Sequence, residues 1–232
     1  MFYKYEFHAH DRLCSACARS TPEEMVDAYR RAGYSGMCFT NHFLRGNTAV
    51  DRSLPWEQKI RAYWDAYRRA AEYAADKDFS VFFGIEHAYG DGKEVLTYGI
   101  DLGFLLAHPD LDQYPLDEYA AAVHAAGGFI SQAHPFREAS YINPDVMPRP
   151  ECLDAVEVFN FYNQPAWNAR AERYAKEHGL YRTSGGDEHW ACSAGLGMAG
   201  MAFPYKIESG AALVEALFRH DGRCIINGVI EE

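Results

Sequence analysis

The sequence predicts a single α/β domain spanning residues 1–232, a barrel or a doubly wound sheet built mainly on parallel strands. Three observations carry this expectation. Short apolar runs alternate with helix-like stretches along the whole chain, and several runs are continuously apolar, as strands buried on both faces are. Side chains able to bind metal recur at the C-terminal ends of those runs. The chain has 232 residues, 48% of them hydrophobic, enough for one large core, and no repeat or low-complexity tract divides it.

Taken in order, the expected strands are Tyr3–His8, Gly36–Thr40, Ser80–Glu86, Val95–Leu102, Gly128–Ala133, Ala155–Asn160, Tyr181–Gly185, Gly200–Phe203 and Cys224–Asn227. The helices between them have readable ends. Thr21-Pro22-Glu23-Glu24 combines an N-cap threonine, a proline at the first helical position and a glutamate placed for a capping box. That helix stops near Gly33. A longer helix, about Pro55 to Ala75, spaces Ile60, Trp64, Tyr67 and Ala71 along one face. Leu116, Tyr119, Ala120 and Val123 stripe another, closed by Gly127-Gly128. Trp167, Ala171, Tyr174 and Ala175 stripe a fourth, ending at Gly179, and a fifth begins after Ser209. Regular alternation of this kind favours right-handed crossovers between parallel neighbours. Residues 200–232 form a closing strand-helix-strand segment.

Charge and composition narrow the function. The formal net charge is −11, a surface that repels phosphate backbones, so long nucleic acid is expected to be excluded as a partner. A small phosphorylated substrate remains admissible, because bound cations reverse the local sign of a pocket. No apolar run approaches the roughly 20 residues of a membrane helix and the N-terminus lacks a signal-peptide pattern, so a cytoplasmic protein with no membrane partner is expected. The six cysteines are expected to be reduced thiols, with Cys14 and Cys17 the only C-x-x-C pair.

The polar residues at the strand ends carry the chemistry. The first strand ends in His8-Ala9-His10, the second in Thr40-Asn41-His42 and the third in Gly84-Ile85-Glu86-His87. Later come Ala133-His134-Pro135 and Gly186-Asp187-Glu188-His189. In parallel α/β folds these ends share one face, where sites assemble. Residues i and i+2 of an extended segment point the same way, so His8 with His10 and Asp187 with His189 are two chelating pairs. Imidazole with carboxylate suits Zn, Fe or Mn. One histidine after a strand is ordinarily a hydrogen-bonded loop residue; the joint pattern points to a metal site. His108, His124, His178 and His220 fall away from these ends and read as structural.

In this order the motifs resemble the PHP (polymerase and histidinol phosphatase) family, whose members carry H-x-H, a T-D-H-like motif, G-x-E, A-H-P and a late S-x-D-x-H. The resemblance spans residues 1 to about 195. It implies a distorted seven-stranded (β/α) barrel and a metal-dependent phosphoric ester hydrolase that uses two or three divalent cations and metal-activated hydroxide. Carried over, a first metal takes His8, His10, Glu86 and Asp187. Glu86 bridges to a second held with His134, and a third uses His42 and His189. Glu157 lines the pocket. Two family ligands are missing: one shortly after H-x-H, and a histidine in the strand after G-x-E, where this chain reads Glu94-Val95-Leu96-Thr97. His87, Asp11, Cys14 and Cys17 are the candidate substitutes, His87 first among them. Arg137, Arg19 and Arg45 are candidates to grip a substrate phosphate, because a guanidinium fork matches phosphate oxygens. His189 or His42 could protonate the leaving group. Two other readings stand beside this one: an amidohydrolase-like enzyme cutting C–N or lactone bonds, and a catalytically weak metal-binding module.

Overall fold

A computed structural model describes residues 1–232. The chain runs β1 (Tyr3–Ala9), α1 (Pro22–Arg31), β2 (Gly36–Phe39), α2 (Trp56–Ala74), β3 (Ser80–Gly90), β4 (Lys93–Tyr98), α3 (Leu102–Ala107), α4 (Leu116–Ala125) and β5 (Phe129–Gln132). It continues through β6 (Ala155–Asn160), α5 (Pro165–His178), β7 (Tyr181–Gly185), β8 (Ala199–Phe203), α6 (Gly210–Phe218), β9 (Arg223–Ile226) and β10 (Val229–Ile230).

The predicted helix ends are present. Thr21 and Glu24 close the capping box of α1 behind Pro22, an arrangement worth about 1 kcal/mol. Gly179 ends α5 in the left-handed conformation, and Ser209 caps α6 through Ala212 N.

The strand count and direction differ from the expectation. In place of a seven-stranded barrel there is one ten-stranded sheet, in the order β10-β9-β8-β1-β2-β3-β4-β5-β6-β7. It curls into a half-barrel, bringing β7 beside β1, β8 and β9. A parallel bridge between Ala9 and Glu188 ties the rim: His10 N donates to Glu188 O (2.8 Å) and Glu188 N to His8 O (3.0 Å). The closing segment adds β8, β9 and β10 antiparallel on the far side of β1.

Nor are the central strands all parallel. β4 runs antiparallel between β3 and β5. The reason is local. Gly90, Asp91 and Gly92 all have positive φ, so β3 continues past Glu86 and folds straight back as a hairpin. The strand expected to reach Leu102 stops at Tyr98, because Gly99 (φ 81°) turns the chain. Asp101 then caps α3, a short helix the sequence did not disclose, by accepting from Phe104 N (2.8 Å).

β1 shows how the sheet divides its labour. Tyr5 and Phe7 enter an aromatic core with Phe82, Tyr98 and Phe203, covered by α5 and α6. The alternate residues Glu6, His8 and His10 are fully buried as well, on the opposite parity. A second core lies under α2, α3 and α4, and a third under α1.

A candidate metal centre at the rim of the sheet

Glu6 fixes the foundation of the site. Its carboxylate accepts from His8 N (2.7 Å), Gly186 N (2.7 Å), Phe7 N (2.9 Å) and the Tyr29 hydroxyl (2.7 Å), locking β1 against the chain leaving β7. Burial pushes this carboxyl up to about 8 despite those donors. Gly185 allows the close approach: a Cβ there would stand 2.4 Å from His8 Cβ and 2.6 Å from Glu157 Oε1.

Two histidines on β1 have their tautomers set by partners behind them. His8 Nδ1 lies 2.8 Å from Glu157 Oε1, an acceptor, so the proton sits on Nδ1 and the Nε2 lone pair faces forward. For His10 the reasoning takes one more step. Asn41 Oδ1 accepts from Asp11 N and from Ser15 Oγ, so the Ser15 hydroxyl proton is spent. His10 Nδ1, 3.0 Å from Ser15 Oγ, must then be the donor, again leaving Nε2 bare.

These bare nitrogens converge on two carboxylates. His8 Nε2 is 3.1 Å from Glu86 Oε1 and 3.5 Å from Asp187 Oδ1. His10 Nε2 is 3.3 Å from Asp187 Oδ1 and 3.6 Å from Glu86 Oε2. Glu86 also meets His134 Nε2 at 3.0 Å and His42 Nδ1 at 2.6 Å. His189 stacks on His10 with ring centroids 4.1 Å apart. The structure thus gathers His8, His10, His42, Glu86, His134, Asp187 and His189 at one rim. Two of them, His134 (φ 25°) and Asp187 (φ 55°), hold a backbone conformation unusual for a non-glycine residue, strain that concentrates at functional sites.

The electrostatics are those of a site built for positive charge. Burial works to raise the carboxyls of Glu86 and Asp187, yet His42 and His8 hold the first, and His8 and Arg137 the second, well below the usual carboxylate range. Burial works to lower His8, and Asp187, Glu157 and Glu86 override it, raising it well above normal, so that without a cation Nε2 takes a second proton, which a bound cation would displace. His10, buried beside His189 and His42, is driven well below.

The donor set fits divalent cations. His8 Nε2, His10 Nε2, His42 Nδ1 and Glu86 Oε2 are buried and close to opposite charge but make no well-directed hydrogen bond, an arrangement that a shared cation would satisfy. Their donor atoms form groups within 4.8 Å of one another: His8/His10/Asp187, His8/Glu86/His134, His42/Glu86/Glu94 and His10/His42/His189.

Glu94, not among the expected ligands, belongs to this cluster. Its carboxylate is 3.5 Å from both His42 Nδ1 and His134 Nε2. The signal lay in the register. Glu86 pairs with Leu96 and Ala88 with Glu94, so Glu94 and Leu96 share the site face. Leu96, where the family pattern has histidine, is buried in the core, and the carboxylate two residues earlier reaches the cluster instead. Asn41, Ser15, Glu6 and Asn160 were also missed; they hold ligand candidates in place.

Three proposed substitutes are elsewhere. His87 has the opposite parity to Glu86 and stacks on Tyr119 (4.0 Å between centroids), both ring nitrogens unpartnered. Burial and the charge of Arg45 lower it to about 3. Cys14 turns its thiol to Tyr63 O within the core (3.5 Å). Asp11 is occupied by Asn41 Nδ2 and Leu13 N. Cys17 is different: it lines the site cavity together with His42 and His189. Partial burial works to raise that thiol, and the two histidines pull it down to about 6. Glu157 stands behind the cluster, between His8 Nδ1 and His134 N.

The arginines separate as well. Arg137 Nη2 is bound to Asp187 Oδ2 (2.7 Å) and Asn160 Oδ1 (2.9 Å), and Nε to Asn163 Oδ1 (2.9 Å). Arg45 lines the same cavity, about 570 Å³ in volume. Arg19 lies over Trp190 (5.6 Å) in an adjoining cleft that shares Cys17, Arg137, Asp187 and His189 with the first.

No family model and no curated sequence matches this chain. Solved structures do. A two-domain protein from Bacteroides vulgatus, containing a predicted PHP-like metal-dependent phosphoesterase, superposes with a TM-score of 0.70 at 15% identity, over 99% of this chain and 66% of that one. Endonuclease Q, solved on a 27-mer duplex with an abasic lesion at its active site, gives 0.65 at 11%, over 94% and 56%. An amidohydrolase from Chromobacterium violaceum, solved with bound sulfate, gives 0.60 at 15%, over 92% and 96%. The architecture is that of an α/β half-barrel with a histidine-carboxylate cluster at its rim. It is the PHP-type fold that the ordered motifs resemble.

One expectation is overturned by these likenesses. The net charge of −11 predicts exclusion of long nucleic acid, yet Endonuclease Q, with this fold, is solved on duplex DNA. Whole-chain charge is a poor guide here, because the potential that matters is local to the cleft. As to membranes, no helix is long and apolar enough to cross one.

Proposed function

We propose that this chain is a metal-dependent phosphoesterase of the PHP type. Its two or three divalent cations, Zn, Fe or Mn, are held by His8, His10, His42, Glu86, Glu94, His134, Asp187 and His189. The observation that carries this reading is the convergence of unpartnered, buried ring nitrogens on Glu86 and Asp187. Bound there, such cations supply an acidified water and offset the charge that builds on a phosphoryl group.

The chain's own residues do the rest. Glu157 and Ser15 keep the Nε2 lone pairs of His8 and His10 turned to the cluster. Arg137 neutralises the outer oxygen of Asp187, and its remaining Nη1 is left to meet a phosphate oxygen, with Arg45 lining the same cavity. Arg19, tied up over Trp190, is assigned to the adjoining cleft. His42 and His189 both face the cluster, so they act as ligands and the leaving group takes its proton from solvent.

A small phosphate ester suits the cavity. The likeness to Endonuclease Q supports a second reading, a phosphodiester within nucleic acid. The sulfate-bound amidohydrolase keeps C–N or lactone hydrolysis as a third outcome. Purified protein reconstituted with Mn, Zn or Fe should release phosphate from an aryl phosphate, and His8→Ala should abolish it. Nicking of an abasic duplex without turnover of small esters would transfer the activity to nucleic acid. Bound metal with turnover of neither would refute the phosphoesterase reading.

A further inference from the structure

We propose that the cleft beside the metal cavity is an aromatic subsite, in which Trp190 and Tyr162 hold a flat ring carried by the substrate's organic half. The inference rests on the phosphoesterase reading above and goes beyond it in naming the kind of ester, one that bears a planar aromatic group.

Continuity with the metal cavity comes first. The cleft, about 480 Å³ in volume, shares Cys17, Arg137, Asp187 and His189 with that cavity. An ester whose phosphoryl group lies over the cluster can reach into it along Asp187 and His189. The rest of the metal cavity is lined mainly by charged and polar groups such as Arg45, Asn47 and Asp91. The cleft instead offers two rings. Trp190 is the most exposed of the four tryptophans, at 44%, and Tyr162 is 49% exposed. A chain that buries Tyr5, Phe7, Tyr29 and Tyr63 leaves these two in water beside its functional site. Such rings gain both burial and stacking when another ring enters.

Both rings are held in place. Tyr162 N donates to Asn160 Oδ1 (3.0 Å), and its hydroxyl donates to Oε1 of the fully buried Glu188 (3.2 Å). Ser193 Oγ donates to the same carboxylate, and Ser193 N donates to Trp190 O (3.0 Å). One buried acid therefore ties Tyr162 to the turn that carries Trp190. Ala191 N donates to Ser20 Oγ (3.0 Å) and Arg19 N to His189 O (2.8 Å), which fixes the backbone on either side of Trp190. Rings fixed in advance lose little freedom when a ligand stacks on them. Arg19, 5.6 Å from the centroid of the Trp190 ring, adds a cation to a cleft that receives an anionic ester.

The test uses the whole chain loaded with Zn or Mn, and phosphonates, whose carbon–phosphorus bond a phosphoesterase leaves intact. Benzyl-, phenethyl- and phenylpropylphosphonate cover a range of reach. Each is compared by calorimetry with its cyclohexyl counterpart, similar in size but puckered. At the best-fitting length the flat ring should bind the wild type about fivefold more tightly. Trp190→Leu should weaken the phenyl ligand about tenfold, abolish that preference and keep its metal on elemental analysis, and Trp190→Phe should restore the preference. Should Trp190→Leu fail to fold, Tyr162→Leu carries the same expectation. Equal binding of flat and puckered rings at every length would overturn the proposal and leave the phosphoesterase reading intact. So would a preference that survives the variant, or one lost in Tyr141→Leu, whose ring lines the metal cavity instead. A flat-ring preference in loaded protein that turns over no phosphate ester would do the reverse. Binding of no phosphonate would overturn both.

Discussion

The two sides of the cluster are built differently. On the inner side, His8, His10, Glu86 and Glu157 are fully buried, and each histidine is backed by a side chain that settles where its proton sits. On the outer side, His42, Glu94, Cys17 and His189 line a cavity open to solvent and come from a strand end, a hairpin arm and two loops. Strand geometry dictates the first group, and loops that happen to meet supply the second. The inner half is fixed by strand pairing and burial, whereas the outer half depends on how loops and a hairpin meet.

Substitutions can break or sharpen that contrast. The largest effect is expected at the centre: Asp187→Ala removes a carboxylate shared by His8 and His10 and strands Arg137, so activity should fall about a thousandfold or more, with metal lost on elemental analysis. Next comes Glu157→Gln, which keeps the volume but weakens the grip on His8 Nδ1. Metal affinity in competition with a chelator should drop about 10- to 100-fold. Glu94→Gln tests the outer half, and should lower affinity for one cation about tenfold while the inner cation stays. Should Glu94→Gln cost more than Glu157→Gln, the contrast between the halves fails. Chelation of the wild type should lower the melting temperature, since cations at a hundred times their Kd contribute about 2.7 kcal/mol to the folded state. The smallest effect belongs to His87→Phe. Two buried, unpartnered nitrogens are replaced by ring carbon against Tyr119, so stability should change by less than about 1.5 kcal/mol, towards gain, with metal content unaffected.

The inner half was legible in the sequence because its ligands are fixed by strand parity. His8 and His10 announce themselves at i and i+2 along β1, and Glu86 follows the parity of β3; Asp187 and His189 are also at i and i+2, but past the end of β7, where Asp187 is left-handed (φ 55°) and strand parity does not relate them. The helix caps at Thr21 and Gly179 were equally readable, being local chemistry. What escaped was whatever depends on pairing between segments. Asp91-Gly92 is a hairpin signal, but only the register it sets places Glu94 on the face of Glu86. His87 looked well placed by proximity and was wrong by parity: neighbouring residues of a strand face opposite ways. The apolar runs matched nine of the ten strands and missed the two-residue β10; what they could not disclose was direction, since β4 reverses within a hairpin.

The bolt formed by Glu6 has a consequence for the life of the chain. It joins residues 180 positions apart, through Gly186 N, and the same closure sets Asp187 across from His8. A nascent or partly folded chain can offer H-x-H alone, a weak chelator. Tight metal capture would therefore follow closure of the sheet, so that metal uptake during refolding should track the completed fold rather than precede it.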